Sequence, residues 1–227
     1  MTRHEMMEEF YTTISPALIT RFKEREENVK ADIFHAYQAL LKQARSSTSD
    51  LSVSRDPNRM ETEEVPVSLL QGQVATIVKA LHRQTKEKSS KTRQGCFSLL
   101  TELIHVLPGA LATHMDLIVP GIQFSLGNNQ SNSNMKIDTL SFIQCLLTGH
   151  HPNVFQPHAQ VLVPAIITAV SDTFYKFSSE ALVVLQLLVK VLRPLDSSPT
   201  TFDFNLYTNN IYQCCFVRLK VCLFVSC

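Results

Sequence analysis

Lys91-Thr92-Arg93-Gln94-Gly95-Cys96-Phe97-Ser98-Leu99-Leu100-Thr101-Glu102-Leu103-Ile104 decides the fold. Cys96, Leu99, Leu100, Leu103 and Ile104 recur at three- and four-residue steps, the stripe of a helix that buries one face. An apolar helix precedes it from Leu69 to Gln84, so the unit is helix, break, lysine, helix. The unit recurs. Met115 to Leu126 is followed by Lys136 and then Leu140, Ile143, Leu146 and Leu147. Val161 to Val170 is followed by Lys176 and then Ala181, Val184, Leu185, Leu188 and Val189. Upstream, Phe10 to Phe22 is followed by Lys30 and then Ile33, Phe34, Tyr37, Leu40 and Leu41. Lys91, Lys136 and Lys176 lie 45 and 40 residues apart, a period that suits HEAT repeats.

Proline marks the same register. Pro108, Pro152 and Pro194 each follow a second helix, where a helix should stop. Pro120 and Pro164 fall at matching places inside two first helices, each preceded by valine, which predicts kinked first helices. The fold class is therefore all-α, a HEAT-type helical-repeat solenoid of antiparallel helix pairs. Its parts are a helix pair at 1–45, a flexible polar linker at 46–66, and repeats at 67–110, 111–153 and 154–196. An incomplete repeat with a divergent tail closes the chain at 197–227. The linker is polar and contains Pro57 and Pro66, with few large apolar residues.

Bulk properties narrow the function. Only 6 of 227 residues are glycine, which argues against a β-sandwich or a glycine-rich nucleotide fold. The net charge of +1 exerts no global pull on nucleic acid or membrane. No apolar run approaches the ~20 residues of a membrane span, and Met1-Thr2-Arg3-His4-Glu5 has no signal-peptide core. Cys96 and Cys145 sit in apolar helical patterns and read as small hydrophobes in a reducing compartment. His150, His151 and His158 cluster near Cys145, and Cys214, Cys215, Cys222 and Cys227 crowd the end of the chain. Neither group has the spacing of a metal site. No cofactor, phosphate loop or catalytic carboxylate pair is indicated.

Stacked helix pairs present long surfaces and few deep pockets, so the expected work is protein binding and not catalysis. Charge singles out one place. Residues 67–109 carry six basic and two acidic side chains, while 46–66 carry two and five. The run Lys79, Arg83, Lys86, Lys88, Lys91, Arg93 spans a helix end, a turn and the next helix start. Lys86, Lys88, Lys91 and Arg93 are the candidate partner-binding residues, chosen on charge and expected exposure, for an acidic partner surface. No aromatic residues interleave them, which disfavours nucleic acid. The competing reading is an ordinary solvated turn.

Beyond these patterns, several stretches carry a likeness. They are Met6-Met7-Glu8-Glu9-Phe10, Arg21-Phe22-Lys23-Glu24-Arg25-Glu26-Glu27-Asn28-Val29-Lys30 and Leu103-Ile104-His105-Val106-Leu107-Pro108-Gly109-Ala110-Leu111. Leu117-Ile118-Val119-Pro120-Gly121-Ile122 and Val191-Leu192-Arg193-Pro194-Leu195-Asp196 share it. From about residue 1 to residue 220 the chain resembles the cullin-associated, NEDD8-dissociated proteins. The resemblance implies a central slice of a longer HEAT solenoid that wraps an unneddylated cullin–RING complex. It implies exchange of substrate-receptor modules on SCF-type ubiquitin ligases, the TATA-binding protein as a second partner, and a cytoplasmic and nuclear location. The resemblance also implies that the family's two ends, which contact the cullin–RING assembly, are expected to lie outside this slice.

Two other readings stand beside a cullin-binding fragment. One is a different solenoid scaffold, for a transcription factor or transport cargo. The other is a truncated product with no independent activity. Leu206 to Lys220 reads as the first helix of a fifth repeat, after which Val221-Cys222-Leu223-Phe224-Val225-Ser226-Cys227 departs from the family. That tail is expected to be sequence past an alternative transcript end, or a gene-prediction artefact, which sequencing the transcript end decides. With Ile211, Phe216, Leu219 and Phe224 uncapped, self-association through this end is expected.

Overall fold

The structure, a computed structural model, describes residues 9–49, 64–127, 131–193 and 203–225. These residues are helical, with no strand among them. A π-helical turn, Phe10–Ile14, leads into α1 (Ser15–Arg21), followed by α2 (Glu27–Ser49), α3 (Glu64–His82), α4 (Ser90–Val106) and α5 (Met115–Gly127). Then come α6 (Ser133–Gly149), α7 (Ala159–Val170), α8 (Tyr175–Leu192) and α9 (Asn205–Val225). The chain divides into two compact units within α5, the first ending at Gly121. In the first, α2 lies along α4, and α1 packs on α2 and α3. In the second, α8 packs on both α6 and α7, and α9 packs on α7. This is an all-α fold of HEAT-type helix pairs. The second helices α4, α6 and α8 begin 43 and 42 residues apart, which suits the HEAT period of roughly 40–47 and not the 34 of a tetratricopeptide repeat.

Local chemistry sets the ends of these helices. The side chain of Ser89 accepts from Thr92 N at 3.1 Å and that of Asn132 from Met135 N at 2.8 Å, each satisfying a donor that the first turn would orphan. Leu107 closes α4 through its N–H to Leu103 O at 2.9 Å. Pro108 follows, and Gly109 turns the chain at φ 81°, where a side chain would be strained. Pro120 and Pro164 both lie inside their helices, each at the sixth residue. Beside Pro120, Gly121 lets the turn after α3 approach: a Cβ there would collide with the Thr85 hydroxyl and lie 2.6 Å from Thr85 Cβ. At the same crossing His82 Nδ1 reaches Leu117 O at 2.7 Å, so that nitrogen carries the proton.

The stretch expected to be a linker, 46–66, is helical at both ends. Helix α2 runs through Ser46 to Ser49, and α3 already begins at Glu64. Pro66 is no obstacle, because a proline in the first helical turn removes an N–H that has no partner there anyway. Positions 50–63 lie outside the described residues, as does the tail after Val225.

The lysine register needs a second correction. Four matching first-turn bonds align the second helices: Lys30 N to Glu26 O at 2.9 Å, Arg93 N to Ser89 O at 3.2 Å, Lys136 N to Asn132 O at 3.1 Å and Ser178 N to Phe174 O at 3.0 Å. Residue four of each helix is therefore Lys30, Arg93, Lys136 or Ser178. Lys91 and Lys176 are second residues, and the recurring lysine of the sequence mixed two positions.

The core of the first unit centres on Phe22, whose ring meets Phe34 and Tyr37 edge-on, both at 5.3 Å. Tyr37 is buried, which pushes its phenol up to about 12. It stays protonated and pairs with Ser15 Oγ at 2.9 Å. Ser15 bonds Gln73 in turn, and Gln73 Nε2 donates to Tyr11 O, so one buried polar chain ties α1, α2 and α3 together.

Candidate protein-binding surface

The basic turn between α3 and α4 is built as a short helical step, Gln84–Lys86, and an extended residue before the Ser89 cap. It is clamped to the turn preceding α2 and to the first turn of α2 itself. Gln84 Nε2 donates to Phe22 O, and Ser89 Oγ donates to Glu27 Oε1. Lys91 Nζ donates to Asn28 Oδ1 at 2.9 Å, and Lys30 Nζ lies 3.6 Å from Glu87 Oε2. Lys30 is buried, and its carboxylate partner is half-exposed.

The second unit repeats one of these contacts. Lys136 Nζ lies 3.9 Å from Asp172 Oδ2 and sits 5.4 Å from the centre of the Phe177 ring. Glu87 and Asp172 each stand three residues before the second helix of their repeat. The cation at helix residue four thus meets an acid in the following turn, twice. Sequence reading missed this contact. A cation four residues into successive second helices, answered by an acid three before the next, was its signal.

Four residues were expected to share an exposed basic surface, and the structure separates them. Lys86 and Lys88 are exposed, and among the described residues no carboxylate lies within 4.0 Å of either. Lys91 is exposed but anchored on Asn28. Arg93 is 0 % exposed, which corrects the expectation that it faces a partner. It occupies helix residue four, the position of Lys30 and Lys136 in their helices, and its Nη2 donates to Ser90 Oγ at 3.1 Å. Burial pulls its guanidinium below the ordinary value, yet an arginine remains cationic at neutral pH.

Helix electrostatics distinguish these cations further. Lys79 stands in the last turn of α3, where the helix dipole favours positive charge. Lys88 and Lys91 flank the start of α4, where the dipole opposes it. Their charge therefore does not serve α4. Nearby, burial and then the positive charge of Lys79 hold His114 below the usual histidine range.

Elsewhere, His150 and Cys96 belong to the packed interior. His150 is buried with Nδ1 on Leu146 O at 3.0 Å, and burial lowers its proton affinity. Cys96 is buried, which pushes its thiol up and keeps it unreactive. No group of three metal-ligating side chains occurs among the described residues, and no helix among them is long and apolar enough to cross a membrane.

Residues 109–222 match the family described as CAND1-like, TPR repeats. The chain is 53% identical over 97% of its length to cullin-associated NEDD8-dissociated protein 1 of Drosophila melanogaster, covering 18% of that protein. It is 44% identical over 96% of its length to cullin-associated NEDD8-dissociated protein 2 of Mus musculus, and 41% over 96% to protein 1 of Arabidopsis thaliana, covering 17% of each. The chain thus spans less than a fifth of the relatives it matches. With its repeat period, capped helix pairs and these matches together, the chain belongs to the CAND1-like family.

Proposed function

We propose that this chain is a non-catalytic scaffold that binds an unneddylated cullin–RING complex and contributes to regulating SCF-type ligase assembly. The observation that carries this reading is the 53% identity, spread over 97% of the chain, to a protein named for cullin association. Within the chain, the exposed turn of Lys86 and Lys88 docks on an acidic partner surface, with Lys91 at its edge and Arg93 holding it from below. Such charges act mainly on association rate and specificity. Retention of purified unneddylated cullin–RING complex, compared between this chain and Lys86→Glu/Lys88→Glu, tests the reading. The variant should associate at least about tenfold more slowly at low salt, and the gap should shrink as salt rises. Equal rates would remove the turn from the interface. No retention by a folded chain would remove the cullin reading.

A second surface supports self-association. On α9, Leu206, Tyr212, Phe216 and Val217 are exposed, and the Tyr212 and Phe216 rings stack at 5.9 Å. Exposed apolar side chains grouped on one helix favour association. Sedimentation velocity should show a weight-average mass that rises with concentration, and Leu206→Ser/Phe216→Ser should abolish that rise. A concentration-independent monomer would refute it.

A further inference from the structure

The two adjacent serines of the basic turn differ in what a phosphoryl group would meet. Ser89 Oγ is engaged twice, accepting from Thr92 N and donating to Glu27 Oε1. A phosphate there would displace the α4 cap and face the Glu27 carboxylate. Ser90 is the first residue of α4 and partly exposed, and its Oγ receives Arg93 Nη2 at 3.1 Å. A phosphate there meets a guanidinium in place of a carboxylate. It also lies at a helix N-terminus, where negative charge is stabilised. Thr92, the next hydroxyl, is buried. Around Ser90 the sequence places Lys86, Lys88, Lys91 and Arg93, the surroundings a kinase that reads basic residues requires.

We propose that Ser90 is a phosphorylation site for a basophilic serine kinase, and that its modification switches off the basic turn as a docking surface. In the reaction Ser90 Oγ attacks the γ-phosphorus of Mg·ATP, the bond to the β–γ bridging oxygen breaks and ADP leaves. The hydroxyl proton passes to the kinase's base. From Lys86 to Arg93 the turn holds four cations and one carboxylate, and a phosphoryl charge of about −1.5 to −2 removes half or more of that excess. The fold remains, because the new charge sits on Arg93 and the α4 N-terminus. The switch rests on the docking role proposed for Lys86 and Lys88, whereas the modification itself does not.

The test has two arms. Folded chain is incubated with Mg·ATP and a basophilic kinase catalytic domain (that of protein kinase C), and the site is mapped by mass spectrometry. One phosphoryl group should appear on Ser90, persist in Ser89→Ala and vanish in Ser90→Ala. Modification of Ser89, or of a peptide spanning 83–98 but not of the folded chain, overturns the site. The modified chain is then tested for association with the unneddylated cullin–RING complex. It should associate about tenfold more slowly at low salt, as Lys86→Glu/Lys88→Glu does. An unchanged rate beside a slowed Lys86→Glu/Lys88→Glu variant sinks the switch and leaves the docking reading intact. Unchanged rates for both sink the docking reading, and the switch falls with it.

Discussion

Arg93→Glu should unfold the first unit or cost at least about 3–5 kcal/mol, the scale on which an uncompensated buried charge destabilises a protein. Arg93 is wholly buried at the start of α4, with its Nη2 on Ser90 Oγ. A carboxylate there replaces a donor with an acceptor and buries a negative charge at a site built around a cation. Urea denaturation followed by circular dichroism measures the loss. Arg93→Met, which keeps the volume without the charge, should cost about 1–3 kcal/mol, the scale of a lost buried hydrogen bond. A loss below about 1 kcal/mol for Arg93→Glu would mean that residue 93 is solvated. The result matters for any binding experiment. Reversing Lys86, Lys88, Lys91 and Arg93 together would abolish binding through unfolding, so only Lys86 and Lys88 report on a surface.

Phe22→Ala should cost about 3–5 kcal/mol, the usual range for truncating a buried aromatic ring. The ring is 0 % exposed and makes edge-to-face contacts with both Phe34 and Tyr37, each such pair adding about 0.5–1.5 kcal/mol beyond burial. The carbonyl of Phe22, which receives Gln84 Nε2, survives the substitution, so the measured loss belongs to the ring. Urea unfolding should show a lower midpoint with an unchanged slope. A midpoint close to that of the native chain would place the core of this unit elsewhere.

The helix pairs were legible because their determinants are local. Apolar spacing around Cys96 to Ile104 names the buried face of α4, and Leu99, Leu100 and Leu103 are buried there. Pro120 and Pro164 kept the same helix position because proline acts through its own missing N–H. The polar stretch at 46–66 misled at both ends. Ser46 to Ser49 are weak helix formers carried on by the 23-residue α2, and Pro66 is harmless in a first turn.

By itself the sequence determined that this chain is all-α, repeats at a HEAT period and concentrates cations in one turn. Those properties reside in residue type and spacing, which a linear reading sees. Only the tertiary structure decided which of those cations reach solvent. Lys86 and Arg93 carry the same charge, but one sits on a turn and the other four residues into a helix that packs along α2. Burial depends on what a neighbouring repeat places over a side chain, and for Lys30 the carboxylate that meets it, Glu87, comes from 57 residues along the chain.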